Sequence, residues 1–150
     1  MEQQVAEEAD KEFRRAEAEL SADNTVAALA SLEKALKLND DTHWYSSLGY
    51  CIAKERGQTR RGLDLCRTSL QLEPDSAVHY FNLGKIQLLA GNKEEALAVF
   101  REGVSKKGGE EIIQKLIELG MRKPPVFASL ERNNPLNRYL GLLLSRLGLR

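Results

Sequence analysis

His43 and His79, Cys51 and Cys66, and the carboxylate pairs Glu94-Glu95 and Glu110-Glu111 carry the side chains that could ligate a metal, move a proton or attack a substrate. A zinc site needs four ligands at close, turn-sized spacings. The two cysteines are too few and too far apart for that, and neither histidine stands at a ligand spacing from a cysteine or from the other. The thiols therefore read as packed small hydrophobes rather than as ligands or a disulfide. Both histidines fall near helix starts and read as partly exposed. Gly57, Gly62 and Gly91 are isolated, and Gly108-Gly109 lacks the following Lys-Ser or Lys-Thr of a phosphate loop. No serine sits in a nucleophile elbow. The acidic pairs sit at helix starts, where they complement the helix dipole. The expectation is a chain that is not an enzyme and takes no metal or cofactor.

Charge adds a second exclusion. Lys plus Arg number 22 and Asp plus Glu number 22, so the balance gives no reason to expect nucleic-acid binding, which depends on neutralising phosphates. Apolar residues make up 42% of 150, enough for the core of one compact domain. The start, Met1 to Glu8, is acidic and lacks the apolar stretch of a secretory signal. No run reaches the roughly 18 apolar residues of a membrane span. These features lead to the expectation of a cytoplasmic protein.

What positions the side chains is a repeat. Ala28-Leu29, Leu32, Ala35, Leu36 and Leu38 are matched 34 residues later by Gly62-Leu63, Cys66, Ser69, Leu70 and Leu72. A further shift of 34 gives Ala96-Leu97, Phe100, Gly103, Val104 and Lys106. Within each copy the apolar spacing is helical, and a second helix precedes each segment. The pattern predicts helices over 9–22, 25–38, 42–56, 59–72, 77–90 and 93–106. Asp23-Asn24, Gly57-Gln58 and Gly91-Asn92 supply the turns. Asn92 with Glu95 three residues on reads as a capping box, and Pro74 ends the fourth helix. Gly49, Gly84, Gly62 and Ala96 fall where paired helices should cross, since small residues let backbones approach. Leu63 and Leu97 read as buried, with truncation to Ala expected to cost about 2–5 kcal/mol.

These columns resemble the tetratricopeptide repeat, whose pattern is an aromatic, Leu-Gly, then Ala-x3-Phe, then Pro, at period 34. The third copy has Tyr80, Leu83-Gly84 and Ala96-x3-Phe100, with Gln87 and Gly108 in place of the second aromatic and the proline. The second has Tyr45, Leu48-Gly49, Ile52, Gly62-x3-Cys66 and Pro74, and one extra residue near 54–57 that belongs in the inter-helix turn. The first fits only in its second half, Ala28-x3-Leu32, with Glu12 for the aromatic and Arg15-Ala16 for Leu-Gly. The resemblance covers about two-thirds of the chain. It implies an all-α, right-handed α-solenoid of three hairpins over 1–107, with a capping helix and further elements over 108–150.

In that family the first helix of each hairpin lines a concave groove that takes peptides. Carried over to matching positions, the groove is Phe13, Arg14 and Glu17, then His43, Ser46, Tyr50 and Lys54, then Val78, Phe81, Asn82, Lys85 and Leu88. The resemblance thus implies a scaffold or adaptor whose partner is a protein or peptide. One branch of the family grips a terminal carboxylate with Lys, Asn and Arg. Here the corresponding places hold Phe13, Glu17, Ser47, Val78 and Asn82, and only Asn82 fits, so an internal extended or helical segment is the expected ligand.

The remaining chain reads as a capping helix over 110–119, an extended stretch at Lys123-Pro124-Pro125-Val126-Phe127, and a helix over 136–149 capped by Asn134 with Pro135 in its first turn. The last segment holds seven leucines with Arg138, Arg146 and Arg150. Three dispositions stay open: folding back on the core, including into the groove; docking on a second copy, as a homodimer, or on another protein; or lying on a membrane surface. Self-association is thus the alternative to the adaptor reading.

Overall fold

The computed structural model describes residues 1–110 and 112–114. Helices α1 (Glu2–Ser21), α2 (Thr25–Leu38), α3 (Tyr45–Arg56), α4 (Thr59–Leu72), α5 (Ala77–Leu89) and α6 (Lys93–Val104) follow in order, with a 3-10 turn at Thr42–Trp44 leading into α3. They pair as hairpins α1/α2, α3/α4 and α5/α6, and successive hairpins pack through α2 on α3, α4 on α5 and α3 on α5. The architecture is the all-α solenoid that the repeat implies.

The glycines act as the spacing requires. A Cβ on Gly49 would lie 2.6 Å from the Gly62 carbonyl oxygen, and one on Gly62 would lie 2.5 Å from that of Gly49. Backbone therefore meets backbone where α3 crosses α4. In the third hairpin, Gly84 accommodates a ring instead: a Cβ there would come 2.2 Å from Phe100 Cε1.

The turns share one device. Asp23 (φ 57) and Gly91 (φ 80) are left-handed, and the next amide reaches back five residues, Asn24 to Glu19 O at 2.8 Å and Asn92 to Gln87 O at 2.9 Å. This is a Schellman closure. In the second hairpin Gly57 (φ 67) takes the left-handed place, and Gln58 N reaches back six residues to Ile52 O at 3.3 Å. The extra residue of the second copy is absorbed there, by widening the last turn of α3.

Two local expectations are corrected. The first helix starts at Glu2, not at residue 9; residues 2–8 lack a strong apolar period, but Glu, Gln and Ala are good helix formers. Asn92 makes no side-chain cap to α6. Its Nδ2 donates to Gln87 Oε1 at 3.0 Å, so both its side-chain and backbone donors close α5 instead of opening α6.

The core is strung along the stack in three clusters. The first joins Ala9, Ala16, Ala28, Leu32, Trp44 and Ile52. The second joins Ala53, Cys66, Leu83 and Ile86, and the third Ala77, Tyr80, Ala96, Phe100 and Ile112. Hairpins burying their faces against one another in sequence is what a solenoid requires. Leu63 and Leu97 are only partly buried at the edges of these clusters, so the cost expected for truncating them is too high. Ile112 has no exposed surface and lies over Gly103 and Tyr80, so the chain begins to cover the third hairpin there. The expected remainder of that helix, the proline stretch and the leucine-rich segment lie outside the described residues.

Candidate functional site: a cleft along the first helices

The first helix of each hairpin brings one residue of a single repeat column to a shared cleft: Glu17 on α1, Tyr50 on α3 and Lys85 on α5. The cleft has a volume of about 460 Å³. Leu20, Ser21 and Asp23 extend the α1 wall, Ser47 lies beside Tyr50, and Val78, Phe81 and Asn82 complete the α5 wall. Gln114, beyond α6, also lines the cleft.

Its chemistry is mixed. Lys85 Nζ sits 3.6 Å from the Tyr50 ring centroid and 4.4 Å from that of Phe81, so two aromatic faces hold the ammonium. Burial pushes the Tyr50 hydroxyl above its usual range, with Lys54 opposing. Burial also raises the Glu17 carboxyl, against the pull of Arg14, and Glu17 forms no ion pair among the described residues. Lys54 bonds Asp23 Oδ1 at 3.1 Å, tying the turn after α1 to α3. Asn82 is buried and donates through Nδ2 to Ser46 Oγ at 3.2 Å and Ser47 Oγ at 3.4 Å.

Of the twelve expected groove residues, Glu17, Tyr50, Val78, Phe81, Asn82 and Lys85 line the cleft. Lys54 stands at its edge, 6.0 Å from the Tyr50 ring. Arg14 is exposed and off the cleft, with Nε donating to Asp10 O. His43 is exposed outside it, paired with Asp41 at 2.6 Å. Leu88 packs on the third core cluster.

Phe13 and Ser46 share a column with Phe81, and the structure shows where that column points: at the following hairpin. Phe13 stacks on Trp44, centroids 4.8 Å apart and planes at 11°. Ser46 is wholly buried and pairs with His79 Nδ1 at 2.7 Å. Only Phe81, with no later hairpin over it among the described residues, opens to the cleft. Leu20, Ser21 and Asp23 are cleft residues that the column pattern does not reach, although 20 and 21 follow Glu17 at helical spacing on one face and so were findable. Ser47 corresponds to a clamp position of the family, and Gln114 lies outside the three repeats and carries no column signal.

The histidine expectation is also corrected. His79 is 3% exposed, held between Ser46 Oγ and Glu73 Oε2, the latter at 2.9 Å. A row of Ser, His and carboxylate resembles a nucleophile with its base. Ser46 has no exposed surface, however, and its Oγ also takes the Asn82 donor, so no substrate reaches it. Cys51 and Cys66 are free and buried, and burial pushes both thiols up to about 12. No group of three or more His, Cys, Asp or Glu among the described residues could hold a metal. No helix among them is long and apolar enough to cross a membrane.

Among solved structures, the chain is similar to MamA protein, at 19% identity and a TM-score of 0.47, over 80% of this chain and 62% of that one. This chain thus spans less than two-thirds of that relative's length. No curated protein matches it. The family model described as tetratricopeptide repeat matches residues 65–98, one period running from α4 through α5 into α6 and containing Pro74, Tyr80, Leu83-Gly84 and Ala96. That match lies on hairpins that stack at the repeat's own period, so residues 65–98 form a tetratricopeptide repeat.

Proposed function

We propose that this chain is a non-catalytic scaffold or adaptor that holds a segment of a partner protein in the cleft of Glu17, Tyr50 and Lys85. The observation that carries the reading is the convergence of one repeat column from three hairpins on a single concavity. Aromatic faces at Tyr50 and Phe81, the Lys85 ammonium they hold, and a carboxylate opposite suit an amphipathic segment. The lone match to a carboxylate clamp, Asn82, spends its donors on Ser46 and Ser47, which favours an internal segment over a free chain end. Free, buried thiols at Cys51 and Cys66 agree with a cytoplasmic setting.

Binding in the micromolar range, about −8 kcal/mol, is expected for a transient contact of this kind. The test is affinity capture with the wild-type chain beside Phe81→Ala and Lys85→Ala. Partners retained by the wild type should be lost from both variants while the helical circular dichroism stays unchanged. Retention of every partner by both variants would remove the cleft from the reading.

A further inference from the structure

The charges of the cleft are unevenly engaged. Asp23 is paired with Lys54 at 3.1 Å. Lys85 lies against the Tyr50 and Phe81 rings, 3.6 and 4.4 Å from their centroids. Glu17 differs. It is exposed on the α1 wall, and its carboxylate makes no hydrogen bond or ion pair among the described residues. Arg14, one turn back, lowers its pKa by charge alone, while the walls around the carboxyl shed part of its water and raise it. Arg14 Nε donates instead to Asp10 O at 3.4 Å. A carboxylate so placed gains from a cation that a ligand brings.

We propose that the segment held in the cleft is basic at its α1 end and apolar at its α5 end. A lysine or arginine of the partner pairs with Glu17, and a leucine-sized or aromatic side chain lies on Val78 and Phe81. This rests on the reading of the cleft as the partner surface and names what that partner carries.

The two walls set the direction. Val78 is 52% exposed, and Phe81 follows it at i+3 on the same helix face, half-buried. Asn82 behind them donates to Ser46 and Ser47, so the α5 wall meets a partner chiefly with apolar surface. Lys85 repels a second cation from that wall, and its own charge is met by two ring faces. An acidic segment would gain less at Lys85 and would face Glu17 as a like charge. With α3 between them, α1 and α5 stand roughly 16–20 Å apart, about five or six residues of extended chain. The basic and apolar side chains therefore lie several residues apart. An exposed pair of this kind selects the partner more than it tightens the complex.

The test is phage selection from a random dodecapeptide library on the full chain, with Glu17→Lys, Phe81→Ala and Lys85→Ala selected in parallel. Circular dichroism confirms that each variant keeps its helices. Wild-type selection should enrich Lys or Arg several residues from Leu, Ile or Phe, and Glu17→Lys should turn that bias acidic. One enriched peptide, resynthesised with a fluorescein label, should bind Glu17→Gln several-fold more weakly and Glu17→Lys about tenfold more weakly. Replacing its basic residue by Glu should restore binding to Glu17→Lys. Acidic or unbiased wild-type peptides, or a basic bias that survives Glu17→Lys, overturn the proposal. If unbiased peptides are nevertheless lost from Phe81→Ala and Lys85→Ala, the cleft stands as the partner surface and only its charge preference falls. If enriched peptides bind both of those variants as tightly as the wild type, or if nothing is enriched, the cleft reading falls with the proposal.

Discussion

Ser46 on the second hairpin and His79 on the third are hydrogen-bonded at 2.7 Å across the joint between them, with no solvent at the serine. Around that bond a closed network forms. Ser46 N donates to Ser69 Oγ at 3.0 Å, Ser69 Oγ donates to Thr42 O at 2.8 Å, and Asn82 Nδ2 donates to Ser46 Oγ. The first joint is made differently, by the Phe13–Trp44 stack, the Thr25–Glu55 hydrogen bond and an Arg56–Glu33 ion pair at 2.7 Å. Beside the apolar cluster of Ala53, Cys66, Leu83 and Ile86, the second joint therefore holds a buried polar patch around Ser46, where leaving a donor or acceptor unpaired is costly.

Ser46→Ala should accordingly destabilise the protein by about 1–3 kcal/mol, because His79 Nδ1 loses its partner in a site closed to water. His79→Ala should cost a similar amount. The double variant should cost less than the sum, since the second change removes a group already stranded by the first. Urea unfolding of the four proteins measures this, and simple additivity would show that the two side chains do not act as a pair.

The glycines should rank by what a methyl group meets. Gly49→Ala and Gly62→Ala drive a Cβ into a carbonyl oxygen on the facing helix, and backbone cannot rotate away. Each should cost at least the about 1–3 kcal/mol typical of overpacking. At Gly57 nothing lies within 4 Å, but φ is 67, so Gly57→Ala should cost only the left-handed penalty of about 1–2 kcal/mol. Thermal melts of the three variants check the order. Equal shifts at Gly57 and Gly49 would mean the helix crossing relaxes.

Period and glycine columns made the hairpins legible, because backbone contact at Gly49 and Gly62 admits no side chain and so leaves a mark on residue type in the middle of a helix. The inserted residue near Gly57 was legible for the same reason: it breaks a strict period. The site was half legible. Column position alone does not say whether a residue faces the cleft or the next hairpin. Phe13, Ser46 and Phe81 show that the answer depends on whether a later hairpin covers the residue. Burial depth was legible in kind but not degree, as Leu63 and Leu97 show. Phe100 and Leu32 have no exposed surface. Phe100→Ala should therefore cost about 3–5 kcal/mol and Leu32→Ala about 2–5 kcal/mol. Leu63→Ala and Leu97→Ala should fall below both in the same denaturation series.

His43 gives stability a pH dependence whose sign is set by its neighbours. Its ring is hydrogen-bonded to Asp41 at 2.6 Å and stands 3.7 Å from Glu73. The Asp41 bond raises its pKa above the ordinary 6.5, the carboxylate charges add to this, and partial burial opposes it. The folded state therefore holds the proton more tightly than the unfolded chain does. The resulting stabilisation is complete below pH 6.5 and is lost as pH climbs through the raised folded value. Asp41→Asn isolates the effect, because Asp41 Oδ1 also accepts the His43 amide at 2.9 Å and an asparagine keeps that cap. The gap in unfolding midpoint between wild type and Asp41→Asn should be widest below about pH 6.5 and narrow towards about pH 8. A gap that stays constant across that window would mean the carboxylate acts on the turn and not on the imidazole.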